Sequence, residues 1–139
     1  MVEIVPFVEE HIDGVVRLCV AEAWPSFPDD PERAVRVLTA PGVTTVVALE
    51  RGSLVGFAQL FSDGELQAFL AKLAVAERVR GRGTGRALVT EALRLTGGER
   101  IDLLSEETAV GFYERFANSR KPGFRLYPFD SLDGTHLQD

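Results

Sequence analysis

Arg80-Gly81-Arg82-Gly83-Thr84-Gly85-Arg86 interleaves three glycines with arginines between an apolar, strand-like segment and a helical one. Glycine permits a tight turn there and lets a ligand approach the main chain closely. The N–H groups that open the following helix have no intrahelical partners, so they and the helix dipole favour an anion at that point. The stretch therefore reads as a cradle for a diphosphate. Spacing argues against two such cradles. A dinucleotide fingerprint needs glycine where Arg86 stands and an acidic residue in a following strand to suit a ribose. A Walker loop needs Gly-Lys-Ser/Thr, which this chain lacks.

Charge points the same way. The chain carries a net charge of −6, which argues against a nucleic-acid partner, because phosphate neutralisation needs a basic face. Arg78, Arg80, Arg82 and Arg86 are nevertheless crowded into one short stretch, as a local site for a polyanionic small molecule would require. A length of 139 residues with 45% hydrophobic content suits one compact domain over 1–139. No stretch is long and apolar enough to span a membrane, and Met1 to Pro6 has neither a basic start nor a signal-type apolar run, so a cytoplasmic protein is expected. Cys19 is the single cysteine and His11 and His136 are far apart, so no disulfide framework and no metal site is expected. Cys19 reads as a buried, inert helix residue.

Working outward, Met1 to Pro6 reads as a strand and Glu9 to Trp24 as a helix with Ile12, Val15, Val16, Cys19, Val20 and Ala23 on one stripe. Asp29-Asp30-Pro31 caps a second helix over Pro31 to Leu38. Three strands follow as a meander: Thr44 to Glu50, Ser53 to Ser62 and Glu65 to Val75, turned by Arg51-Gly52 and Asp63-Gly64. On the last of these Glu65 shares a face with Gln67, Phe69, Ala71 and Leu73, with Lys72 opposite. Beyond the cradle, Arg86 to Leu95 is helical with Leu88, Ala92 and Leu95 on one face, ended by Gly97-Gly98. Arg100 to Leu104 reads as a strand, Ser105 as the cap of a further helix, and Phe124 to Phe129 as a final strand. The unit from Leu66 to Leu104 should be a right-handed crossover between parallel strands.

The cradle resembles the acetyl-coenzyme A motif of the GNAT N-acetyltransferase superfamily, Arg/Gln-x-x-Gly-x-Gly/Ala, which Arg80, Gly83 and Gly85 match. The element order is that of the same family over nearly the whole chain. The resemblance implies an α/β (α+β) fold: a mixed, mostly antiparallel central sheet flanked by helices, with a parallel strand–helix–strand unit. It implies acetyl-CoA as acyl donor, with no metal, and direct transfer to an amine of a small molecule or peptide. Main-chain N–H groups over Arg80, Gly81, Arg82, Gly83, Thr84, Gly85 and Arg86 would hold the diphosphate, and main-chain groups of Leu73 and Val75 the pantetheine arm.

For chemistry, the family's Ala-x-x-Phe/Leu-Tyr pattern falls on Ala109-Val110-Gly111-Phe112-Tyr113, which makes Tyr113 the candidate proton donor to the leaving thiolate. A phenol with a pKa of about 10 suits that task. A core tyrosine is the alternative, since Ala109, Phe112, Tyr113 and Phe116 also share a helical face. Tyr127 is the only other tyrosine. Glu65 is the candidate base, against an ordinary solvated turn residue. Glu106 stands where the family commonly has an asparagine, and residues 117–122 lengthen the link to Gly123-Phe124. Trp24, Phe27 and residues 118–122 are the expected acceptor side. A non-catalytic CoA-binding module or sensor, or a nucleotide-binding protein, stays open, as does a homodimer.

Overall fold

The computed structural model describes residues 1–129, so His136 lies outside the described residues. Two compact units are distinguished, one over Met1–Asp102 and one from Leu103 on.

The first unit is built on a five-stranded sheet in the order β1 (Glu3–Pro6), β2 (Val43–Glu50), β3 (Ser53–Ser62), β4 (Gln67–Val75), β5 (Arg100–Asp102). All neighbours are antiparallel except β4 and β5, which are parallel, as the crossover rule requires. The first hairpin turns at Arg51-Gly52, where both residues have positive φ, 52° and 80°. That is the primed turn whose twist matches its flanking strands. The second turns on Asp63, whose carboxylate accepts the N–H groups of Glu65 and Leu66 at 2.8 Å each and of Gln67 at 3.3 Å. Those bonds, the Glu65 one foremost, hold its carboxyl below the usual aspartate range. They also keep Glu65 and Leu66 in the turn, so β4 starts at Gln67 and not at the expected Glu65.

A bulge corrects the expected faces of β4. Gln59 pairs with Lys72 but Leu60 with Leu70, so Ala71 is an extra residue and side-chain parity reverses across it. Phe69, opposite Phe61, and Lys72, opposite Gln59, therefore share one face, where simple alternation set them apart. That face is covered by α1 (Ile12–Ala21), α2 (Ser26–Asp29) and α3 (Pro31–Leu38), and Val15, Leu18, Cys19, Phe27, Ala34 and Leu38 pack there on Val47, Phe57 and Ala74. Cys19 is buried, as expected of a small apolar residue. Asp30 caps α3 by accepting the Arg33 N–H at 3.1 Å, with Pro31 at the first helical position.

On the other face lies α4 (Thr84–Thr96), which begins two residues before the expected Arg86 and buries Thr84, Leu88, Val89 and Ala92. Leu95, expected on its apolar face, is 43% exposed, Val89 being buried instead. A Cβ at Gly56 of β3 would lie 2.9 Å from Leu88 Cδ1 and 3.1 Å from the Ala74 carbonyl oxygen, so this glycine is what lets α4 sit down on the sheet. Gly97 ends α4 in the left-handed conformation.

The first strand and first helix are shorter than read from sequence, and α2 is additional. β5 stops at Asp102 where the pattern ran to Leu104. In the second unit Ser105 is not a helix cap: its hydroxyl donates to the Glu106 carbonyl at 2.8 Å. A 3-10 turn, Glu107–Ala109, leads into a single helical turn, α5 (Val110–Tyr113). The expected final strand over Phe124 to Phe129 is not formed, and Phe124, Leu126 and Phe129 stand exposed. An alternating pattern becomes a strand only where a ladder partner exists.

Candidate functional site

β4 pairs with β5 only through Gln67, Ala68 and Phe69. Beyond Phe69 its outer edge has no strand partner among the described residues. Main-chain groups alternate along a strand between its two neighbours. Ala76 donates to the Val55 carbonyl at 2.8 Å, so it faces β3, and Leu73 and Val75 face the open edge. The Val75 carbonyl on that edge accepts Arg80 Nε at 3.0 Å.

The chain then makes a 3-10 turn, Glu77–Val79, and enters the glycine stretch. Gly81 and Gly83 both have positive φ, 80° and 84°, and nothing lies within 4 Å of a Cβ built on either. Gly83 serves as the N-cap of α4, with no side chain capping the first turn. The first helical bond from the loop is Ala87 N–H to the Gly83 carbonyl, 3.0 Å. Open space over two left-handed glycines, at an uncapped helix start, is the geometry that a diphosphate fits. Of the residues read as cofactor-binding, Thr84 is buried under this turn, Gly85 is half-buried, and Arg86 is exposed on the first helical turn.

Three arginines here are held by acids that local sequence reading missed. Arg78 NH1 and Arg82 NH1 meet the two oxygens of Glu50 at 3.0 and 3.2 Å. Arg80 NH2 meets Glu22 at 2.7 Å. The Arg78 hydrogen bond is the main cause holding the Glu50 carboxyl below the usual glutamate range. Separations of 28 to 58 residues left no signal for these pairs short of the fold itself.

On the helix-covered face of β4, Lys72 Nζ lies 5.2 Å from the Phe27 ring centre and 5.5 Å from that of Trp24, within cation–π range. Beside it on the same face, Phe61 and Phe69 stack at 6.5 Å and remain partly exposed. Glu65 is exposed in the hairpin turn. Ten residues of nearly extended chain, roughly 30 Å, run from it to Val75.

In the second unit, Tyr113 is half-buried on α5 with its ring edge-on to Phe112 at 4.9 Å, and Phe112 meets Phe116 at 5.4 Å. Burial pushes the Tyr113 phenol above its ordinary value. Among the described residues no cluster of three or more His, Cys, Asp or Glu could hold a metal, and no helix is long and apolar enough to cross a membrane.

Residues 41–116 match the family model described as an acetyltransferase (GNAT) domain. Solved structures share the fold. A GNAT-family acetyltransferase from Streptococcus pneumoniae TIGR4 is 23% identical, with 94% of this chain and 100% of that one covered at a TM-score of 0.73. The ribosomal-protein-alanine N-acetyltransferase of Brucella melitensis biovar Abortus 2308 is 19% identical, covering 94% and 100%, TM-score 0.72. AAC(6')-Iy in complex with the bisubstrate analogue CoA-S-monomethyl-acetylneamine is 18% identical, covering 94% and 99%, TM-score 0.75. Comparison with curated proteins finds no match.

Proposed function

The chain belongs to the GNAT acetyltransferases, and from that premise we propose that it moves an acetyl group from acetyl-CoA to a primary amine of a small molecule or peptide in the cytoplasm. The observation that supports this best is the pair of left-handed glycines, Gly81 and Gly83, with open space above them at the uncapped start of α4. Main-chain N–H groups from Arg80 to Arg86 hold the diphosphate, and the open-edge groups of Leu73 and Val75 hold the amides of the pantetheine arm. The thioester supplies an activated acyl carbon; everything else is asked of the protein.

The amine nitrogen attacks that carbon as a neutral base, the C–N bond forms and the C–S bond breaks. The proton lost by the amine goes to solvent; Glu65, exposed in the hairpin turn at the far end of β4, lies too far along the strand to take it directly. Tyr113 gives its proton to the departing thiolate and recovers one from solvent; a phenol with an ordinary value of about 10, raised further by burial, stays protonated at neutral pH between turnovers. Trp24 and Phe27, beside Lys72 on the helix-covered face of β4, lie on the acceptor side. One observation favours a second reading, a CoA-binding sensor without turnover: β4 itself, Gln67–Val75, carries no carboxylate.

Release of free CoA thiol from acetyl-CoA across a panel of amines tests the proposal. Turnover with at least one amine above the uncatalysed rate supports the enzyme. CoA binding with no turnover on any amine turns the assignment to the sensor, and no CoA binding at all removes both.

A further inference from the structure

Glycine-rich turns cost conformational entropy to order, so a cradle built on them needs outside ties. Here the described main-chain bonds lie at the two ends of the turn: Val79 and Arg80 donate to Ala76 and Glu77 at 3.0 and 3.2 Å, and Ala87 donates to Gly83 at 3.0 Å. The ties are side chains. Arg78 lies before the turn and Arg82 between Gly81 and Gly83, and both reach the same acid at the far end of β2, Glu50. One carboxylate oxygen takes each guanidinium. Arg82 NH2 also donates to the Arg78 carbonyl at 3.4 Å, which closes the arrangement. The Glu50 side chain is only 17% exposed, while those of Arg78 and Arg82 are 60% and 57% exposed. The acid is the fixed member and the arginines are what it holds.

We infer that Glu50 is a positioning residue for the diphosphate cradle, acting through Arg78 and Arg82 without touching the cofactor. This rests on the acetyl-CoA reading above and adds to it a residue outside the motif. Two effects of opposite sign separate it from a plain charge effect. A carboxylate near a polyanion repels it, so if charge alone mattered, its removal would tighten binding. A carboxylate that holds the loop in its binding shape does the reverse, because an unheld loop must be ordered by the ligand.

The experiment is CoA binding by calorimetry to the wild type, Glu50→Gln, Glu50→Asp, Arg78→Ala/Arg82→Ala and the triple variant, with thermal melts of each. Wild type binds CoA; Glu50→Gln binds about tenfold more weakly, on the scale of two side chains left to be ordered. Glu50→Asp, which keeps the charge, recovers part of the loss. In the Arg78→Ala/Arg82→Ala background, Glu50→Gln changes the affinity less than about twofold, since nothing remains for it to hold. A merely structural acid would give the same loss with or without the arginines, and that result overturns the inference. So does equal or tighter binding by Glu50→Gln. If Glu50→Gln melts too low to be tested, tighter or unchanged binding by Arg78→Ala/Arg82→Ala overturns it equally. Failure of the wild type to bind CoA is a different outcome, which removes the cofactor reading and this role with it.

Discussion

Arg80 and Glu22, 58 positions apart in the sequence, meet at 2.7 Å, so the loop after β4 is fastened to the C-terminal end of α1. The same guanidinium donates Nε to the Val75 carbonyl. Arg80 is thus already engaged by an acid, and a phosphate that uses it competes with Glu22 for the guanidinium's charge. Removing either partner should then act in opposite directions. Glu22→Gln should tighten CoA binding by a few-fold, and Arg80→Ala should weaken it by about the same, on the scale of one charge-assisted hydrogen bond. Neither change should alter stability by more than about 1 kcal/mol, because the arginine side of the pair is more than half exposed and the acid is only partly buried. Calorimetry on the two variants decides it; shifts of the same sign would show that Arg80 serves only to hold the loop.

Gly83→Ala places a methyl group in the open space above the turn and demands φ of +84° from a residue with a Cβ. The conformational cost is about 1–2 kcal/mol. Loss of CoA affinity should exceed what a melt attributes to that strain, reaching tenfold or more. A folded variant with wild-type affinity would move the diphosphate away from this glycine.

Tyr113→Phe keeps the ring and its edge-on contact with Phe112, so melting should change little while turnover on the amine found by the panel falls by about 10²–10⁴. The raised pKa carries a pH signature. Its folded value lies above its unfolded one, so burial of the neutral phenol contributes stability that is fully present below the ordinary phenol range, about pH 10. That contribution is lost as pH rises through the folded value. Wild type should therefore lose stability relative to Tyr113→Phe above that range, as titration melts will show. A variant that melts several degrees lower at neutral pH and turns over normally would make Tyr113 a core residue.

Gly56→Val should destabilise the protein by about 1–3 kcal/mol, because the added carbon meets the Ala74 carbonyl, which cannot move aside as a side chain can. Chemical denaturation measures it. Since α4 carries the cradle on its first turn, CoA affinity should fall in the same variant; an unchanged midpoint would mean that α4 lifts without cost.

The glycine turn before α4 was legible because its signals are local. Gly81, Gly83 and Gly97 act through their own φ values, and Asp30-Pro31 writes the start of α3 in two residues. The meander was legible for the same reason, through Arg51-Gly52 and Asp63-Gly64. What escaped depends on partners distant in sequence. The parity of β4 is set by which residue of β3 faces Ala71, so alternation read along one strand placed Lys72 on the wrong face. Glu50 and Glu22 carry no mark of the arginines they hold. The stretch Phe124 to Phe129 has the composition of a strand, yet a strand needs a neighbour to pair with, which composition does not supply.

Ala71 has one more consequence, for how the protein behaves at high concentration. A strand edge left without a partner is a template on which another chain can add, and β4 beyond Phe69 is such an edge. A bulge twists that edge out of the flat line that a pairing strand would need, and the lysine that follows it puts a cation beside an otherwise apolar run of leucines, alanines and valine. Deleting Ala71 would restore regular pairing with β3, and it would also turn the open half of β4 into a flat, sticky margin. The extra residue thus makes the edge that it leaves open a poorer template for an added strand.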